Sequence, residues 1–256
     1  MILKLMKKEL KELLKTGRFY ALLITFLFFA ISSPPIAKFT PEIIKSLIQT
    51  QDTKGIIIQI PSPTWKDSFL QFFKNLNQII FIVLIIIFIG CISEEKNKGT
   101  AVTIIVRGID RKKWIISKFL FQILICFILL IISYIICAYY TFFLFSHFPL
   151  YNSLSSTILY AFYLIFVISL IIFSSSIGNN AIQSGGIFFI IFIILNIINI
   201  FPNLNSYNPI YLSTLQNQWI TQSVNWQSAL KPILSTLIMS TFLIYIGMIY
   251  FDRQEL

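Results

Sequence analysis

Charge is scarce in this chain. Only 12% of its 256 residues are Asp, Glu, Lys or Arg, against about 25% in ordinary soluble domains, and 57% are hydrophobic. That balance excludes a water-soluble globular protein, and the wealth of aromatic and branched residues excludes a disordered one. Histidine is nearly absent. His147 stands without a carboxylate neighbour, which leaves metal-dependent or acid–base catalysis little to work with. Cysteine is limited to Cys91, Cys126 and Cys137, each in an apolar stretch and none in a C-x-x-C pair, so neither a zinc site nor a disulfide framework is indicated. The motifs H-E-x-x-H and G-x-S-x-G are missing. The phosphate-cradling G-x-x-x-x-G-K-[ST] is missing too, so the chain has no means of its own to hydrolyse ATP. No catalytic residue, metal or cofactor is expected here.

What the chain has in abundance is apolar length. The mean hydropathy is +0.82, and stretches able to cross a bilayer run over residues 19–36, 73–93, 119–145, 156–176, 181–201 and 232–251. The fourth and fifth are joined by so few residues that they form an antiparallel pair. The expected fold is therefore an all-α polytopic membrane protein of six transmembrane helices, a single transmembrane domain over residues 1–256.

The net charge of +10 gives the direction. Residues 1–18, 94–118, 177–185 and 252–256 hold 14 of the 20 Lys and Arg residues in 57 positions. The opposite loops hold the other six in 81 positions. The positive-inside rule then places both termini on the cytoplasmic side of the cytoplasmic membrane. In a membrane protein such basicity reports orientation, and no nucleic-acid partner is implied.

Outside the spans, residues 1–18 read as an interfacial amphipathic helix. Leu3, Met6, Leu10 and Leu13 recur at helical spacing, with Lys4, Lys7, Lys8, Lys11 and Lys15 around the remainder, facing anionic lipid headgroups. A solvated basic leader is the other reading. The first span is expected to end at Ser32-Ser33-Pro34-Pro35. In the extracytoplasmic loop 37–72, Ile43, Ile44, Leu47 and Ile48 fit a short amphipathic helix after Pro41, and Gly55–Pro61 reads as extended. Trp65, Phe69, Phe72 and Phe73 share one helical side and read as an interfacial aromatic cluster. Tyr207, Tyr211, Trp219 and Trp226 resemble it in the last long loop. Gln183-Ser184-Gly185-Gly186 is read as small residues in a tight hairpin, and Asn208-Pro209-Ile210 as a turn. Asn196 and Asn199 lie three apart and share one face of the fifth span. They are candidates for a polar path, with interhelical hydrogen bonding as the alternative.

The spans hold almost no ionisable residues, whereas ion-driven transporters place charges within the membrane. The charge gathers in one loop instead. Glu94-Glu95-Lys96-Asn97-Lys98-Gly99-Thr100-Ala101 closes the second span. The apolar run Val102–Val106 follows, then Arg107-Gly108-Ile109-Asp110-Arg111-Lys112-Lys113, and Lys118 opens the third. A disordered linker would not carry that apolar run, and a bare positive-inside anchor would not need the paired acids.

This pattern resembles the membrane subunits of type-2 ATP-binding-cassette exporters, six-span permeases with an acidic end to span two, then Gly-Thr, an apolar run, a turn with arginine and a lysine opening span three. Glu94, Glu95, Gly99, Thr100, Arg111 and Lys118 match those positions, while Gly108 stands where many members have proline. The resemblance implies that residues 94–118 form a cytoplasmic coupling loop whose helix docks on a separately encoded ATPase. It assigns the contact to Glu94, Glu95, Gly99, Thr100 and Arg111. It further implies a permease subunit without enzymatic activity of its own, with ATP and Mg on the partner. A second copy or a homologous permease subunit would complete the path, and the substrate would be an amphipathic or hydrophobic peptide, drug or lipid-like molecule. An ATP-independent secondary transporter or channel, or an immunity protein binding an extracellular peptide, is the alternative.

Overall fold

A backbone crossing hydrocarbon must satisfy its own N–H and C=O groups, and a helix does so within one segment. The computed structural model describes residues 2–50, 61–106, 108–222 and 225–254, and among the described residues it contains helices and no strand. In chain order these are α1 (Ile2–Lys15), α2 (Arg18–Thr50), α3 (Trp65–Asn75), a π-helical turn (Leu76–Ile80), α4 (Phe81–Phe88), α5 (Ser93–Asn97) and α6 (Thr100–Val106). They are followed by α7 (Arg111–Phe145), α8 (Leu150–Ile177), α9 (Ala181–Asn199), α10 (Pro202–Asn205), α11 (Tyr211–Thr221) and α12 (Trp226–Asp252). Six rods are long and apolar enough to span a bilayer: Arg18–Ile44, Trp65–Asn97, Arg111–Phe145, Leu150–Ile177, Ala181–Asn199 and Trp226–Asp252. The protein is an all-α multi-pass membrane protein.

The helix α8 is the hub, packed against α12, α11, α7 and α9. Its neighbour α9 packs mainly on α8 and α10, with Phe188 and Phe192 also against Phe81 of α4. Three residues, 178–180, separate the two, so they form the antiparallel pair expected. Asn180 caps α9 by accepting from Gln183 N at 2.8 Å. The close approach in this hairpin lies at Gly178, where a Cβ would meet Ser184, whereas Gly185 and Gly186 face open space. The small-residue reading of residues 183–186 therefore holds for Ser184 alone.

Span one does not stop at its prolines. Pro34, Pro35 and Pro41 all lie inside α2. Proline removes backbone donors, but packing against neighbouring helices keeps such a membrane helix intact. Here α2 lies along α3 and α7, and Lys38 Nζ donates to the Leu144 carbonyl at 3.1 Å. The expected separate helix after Pro41 is thus the continuation of α2, while Gly55–Ile60 lie outside the described residues.

Three of the four aromatic residues at the start of span two turn into the bundle, and Trp65 stays half-buried at its edge. Phe69, Phe72 and Phe73 are fully buried, with Phe69 against Tyr134 and Phe148 and Phe73 against Tyr160. Trp219 is likewise buried and packs at a tilt against Trp226, with ring centroids 4.8 Å apart. Asn208 makes the turn expected of it: its Oδ1 accepts from Ile210 N and its Nδ2 donates to the Leu195 carbonyl. Span two widens at the π-helical turn, where the Tyr160 hydroxyl donates to the Leu76 carbonyl at 3.2 Å.

The N-terminal helix α1 presents three faces. Leu5 and Leu13 are buried against the bundle, Leu3 and Leu10 are exposed, and Lys4, Lys7, Lys11 and Lys15 occupy the remainder. Of the four apolar residues expected to act together, Leu13 is buried against the protein and Met6 packs partly on it, while Leu3 and Leu10 are exposed.

Candidate functional site

Helix α1, the C-terminal end of α12 and the segment between spans two and three meet at one end of the bundle. Span two breaks there: α4 ends at Phe88 and the chain turns before α5. The backbone N–H groups freed at Ile92 and Ser93 donate to Ser175 Oγ of α8 at 3.0 and 3.1 Å, so the break is satisfied inside the protein. Gly99 (φ +69°) and Gly108 (φ +79°) then bracket α6. Both adopt the left-handed conformation that glycine enters without steric cost. Asp110 caps α7 by accepting from Lys112 N at 3.0 Å.

Lys118 forms the centre. It lies on α7, its side chain is 1% exposed, and its ammonium sits 2.9 Å from Glu9 Oε1 and 2.8 Å from Glu95 Oε1. It also faces the Trp114 ring, 5.0 Å from the centroid. A buried ammonium is tolerable only when paired, and here the two acids come from different elements, α1 and α5. Lys8 adds a second, looser ammonium, 3.3 Å from Glu95, 3.9 Å from Glu9 and 3.8 Å from Glu12. Burial pushes the Glu9 carboxyl above the usual carboxylate range, and neighbouring Glu95 adds to that, against the pull of Lys118.

The surrounding charges are equally engaged. Glu94 pairs with Arg18 at 3.6 Å and Lys98 at 3.2 Å. Its side chain folds over Gly90, where a Cβ would stand 2.5 Å from Glu94 Oε1. Lys96 donates to the Ser176 carbonyl at the end of α8 and to Gln254 Oε1. Arg111 donates to the carbonyls of Phe251, Asp252 and Gln254 at 3.2, 3.0 and 2.8 Å. Two basic residues of the loop thus cap the C-termini of α8 and α12, where the helix dipole favours positive charge.

The five residues expected to contact a partner therefore divide. Glu94, Gly99 and Thr100 lie at or near the surface, and the Thr100 hydroxyl donates to the Glu95 carbonyl at 3.1 Å. Glu95 is buried and Arg111 spends its guanidinium on α12, so both serve the chain's own packing. Asn196 and Asn199 are remote from this end. Asn196 is exposed on α9 and donates to the Phe192 carbonyl of its own helix, and Asn199 Oδ1 has no partner. Among the described residues neither makes a hydrogen bond to another helix, as the alternative reading required.

Sequence reasoning passed over Lys8 and Glu9 as parts of a basic helix. The signal was the spacing Leu5–Glu9–Leu13, which sets an acid among leucines on one helical face.

A family model described as Protein of unknown function (DUF2705) matches residues 43–256. The chain belongs to that family. The DUF2705 match starts within α2 and takes in Glu94, Glu95 and Lys118, leaving α1 with Lys8 and Glu9 outside it. The chain is also similar to the Uncharacterized transmembrane protein YxlG of Bacillus subtilis (strain 168), 25% identical over 168 residues. That match covers 66% of this chain and 64% of the relative, so it spans less than two thirds of the relative's length.

Proposed function

We propose that the protein is the permease subunit of an ATP-binding-cassette exporter in the cytoplasmic membrane, with both termini cytoplasmic. It works with a separately encoded ATPase and a second permease subunit. The observation that carries this reading is α6, set off by Gly99 and Gly108 at the basic end with Val106 80% exposed. The segment leading into it is anchored by charge to α1, α7 and α8. A force applied to α6 is therefore passed to several elements at once rather than lost in a loose loop. Glu94, Gly99 and Thr100 provide the accessible part of such a contact, and Glu95 and Arg111 stiffen what lies behind it. Clustering of 14 of the 20 basic residues on this side supports its being cytoplasmic. Walls of aliphatic and aromatic side chains suit an amphipathic or hydrophobic substrate.

Mass spectrometry of the complex purified from native membranes tests the reading, with Val106→Glu as the variant. Wild type is expected to bring down an ATP-binding-cassette ATPase, and the variant to lose it while keeping the thermal stability of the chain. No nucleotide-binding subunit with the wild type, together with transport that persists once the ATPase gene is inactivated, would favour a secondary transporter, a channel or an extracellular-peptide-binding protein instead.

A further inference from the structure

The lysines of α1 do not share one task. Lys8 is spent on Glu9, Glu12 and Glu95. Lys4, Lys7, Lys11 and Lys15 are exposed and, among the described residues, have no ion pair or hydrogen bond. At about 100° per residue these four fall within one arc of the helix, about 80° wide. The exposed Leu3, Leu10 and Leu14 form the strip immediately beside them. Leu5, Glu9 and Leu13, which face the bundle, lie on the opposite side.

Water alone would solvate the lysines, but it would penalise the leucines at their side. A bilayer surface meets both strips, with hydrocarbon for the leucines and negative headgroups for the lysines. The backbone sets α1 apart for such a contact. Gly17 (φ +73°) ends the helical run before Arg18 opens span one, so α1 is not a straight extension of that span. Its place beside α7 is held by Glu9 on Lys118 at 2.9 Å. The same ammonium holds Glu95, at the head of the segment leading into α6. An α1 that frays away therefore loosens the anchor of α5 as well.

We propose that α1 docks on anionic phospholipid and that this contact steadies the α5–α6 segment through Lys118. Lys4, Lys7, Lys11 and Lys15 meet the headgroups, while Leu3, Leu10 and Leu14 enter the acyl boundary. Neutral lipid satisfies the leucines only, so the negative charge of the lipid decides how firmly α1 is held. No ATPase takes part, and the contact stands or falls apart from the export reading.

Hydrogen–deuterium exchange of the full chain tests this in nanodiscs of phosphatidylcholine, alone or mixed with phosphatidylglycerol. In wild type, phosphatidylglycerol is expected to slow exchange about tenfold across residues 2–15, and by less across 94–106. Combining Lys4→Gln, Lys7→Gln, Lys11→Gln and Lys15→Gln is expected to abolish the difference while the spans stay as protected as in wild type. Salt at about 1 M, where screening acts within about 3 Å, is expected to abolish it with no substitution at all. Equal exchange of wild type in the two lipids overturns the proposal and leaves α1 a solvated basic helix. A phosphatidylglycerol effect that survives in the fourfold variant overturns it too. Slower exchange in α1 with none across 94–106 overturns the coupling through Lys118.

Discussion

The basic end and the fifth span handle polarity in opposite ways. At the basic end Glu94, Glu95, Lys96, Arg111 and Lys118 each have a partner within the chain. On α9, Asn199 Oδ1 has none, and Asn196 bonds only to its own helix. The apolar surface follows the same division: in the most apolar stretch of α8, 72% is buried within the chain, against 17% for α9. Paired charge and dense packing make a region complete in itself. Unmet polarity on a bare helix leaves it to be completed from outside.

The sharpest way to break the comparison is at Lys118. Lys118→Met leaves the buried Glu9 and Glu95 only the looser Lys8 ammonium and is expected to cost about 3 kcal/mol of stability. Combining it with Glu9→Gln and Glu95→Gln removes the stranded charges and is expected to recover most of that loss. Denaturation of the purified chain in detergent measures both. A full loss persisting in the triple variant would show that the lysine's packing, not its charge, holds α1 and α5 in place.

The next effects are smaller and concern the rim. Arg111→Gln withdraws three charge-assisted hydrogen bonds from the end of α12 and is expected to cost about 1–2 kcal/mol. Proteolysis at residues 251–254 should rise with it. Gly108→Ala meets no neighbour within 4 Å but keeps φ at +79°, so only backbone strain of about 1 kcal/mol is expected. A loss well above that would mean that α6 itself depends on this turn.

Much of the first region's outline could be read in the sequence, and little of its interior could. Apolar runs located all six spans, because hydrocarbon admits no other economical backbone. Their ends were harder. The third helix begins at Arg111 rather than near residue 119, since Arg111, Lys112 and Lys113 mask a helical turn from any hydropathy reading. Glu94 and Glu95 stood out as paired acids, but neighbouring residues on a helix point about 100° apart. Which of them enters the core depends on α1 and α7, elements distant in the chain. The inward turn of Phe69, Phe72 and Phe73 was hidden for the same reason: an aromatic stripe has one spacing whether it faces lipid or protein.

The smallest expected effect sharpens the comparison most. Asn196 is exposed and bonds only to the Phe192 carbonyl, so Asn196→Leu opens no void and strands no partner. Stability of the isolated chain should stay within about 0.5 kcal/mol of wild type. A carboxamide carries both donor and acceptor, so two copies related by a two-fold axis can pair the same asparagine with itself, worth about 0.6–2 kcal/mol in a membrane. Disulfide trapping of paired chains through a cysteine at the neighbouring Ile193 should then be efficient in wild type and fall with Asn196→Leu. Unchanged trapping would mean that α9 meets its completing surface through its isoleucines alone, leaving Asn196 and Asn199 to whatever crosses beside them.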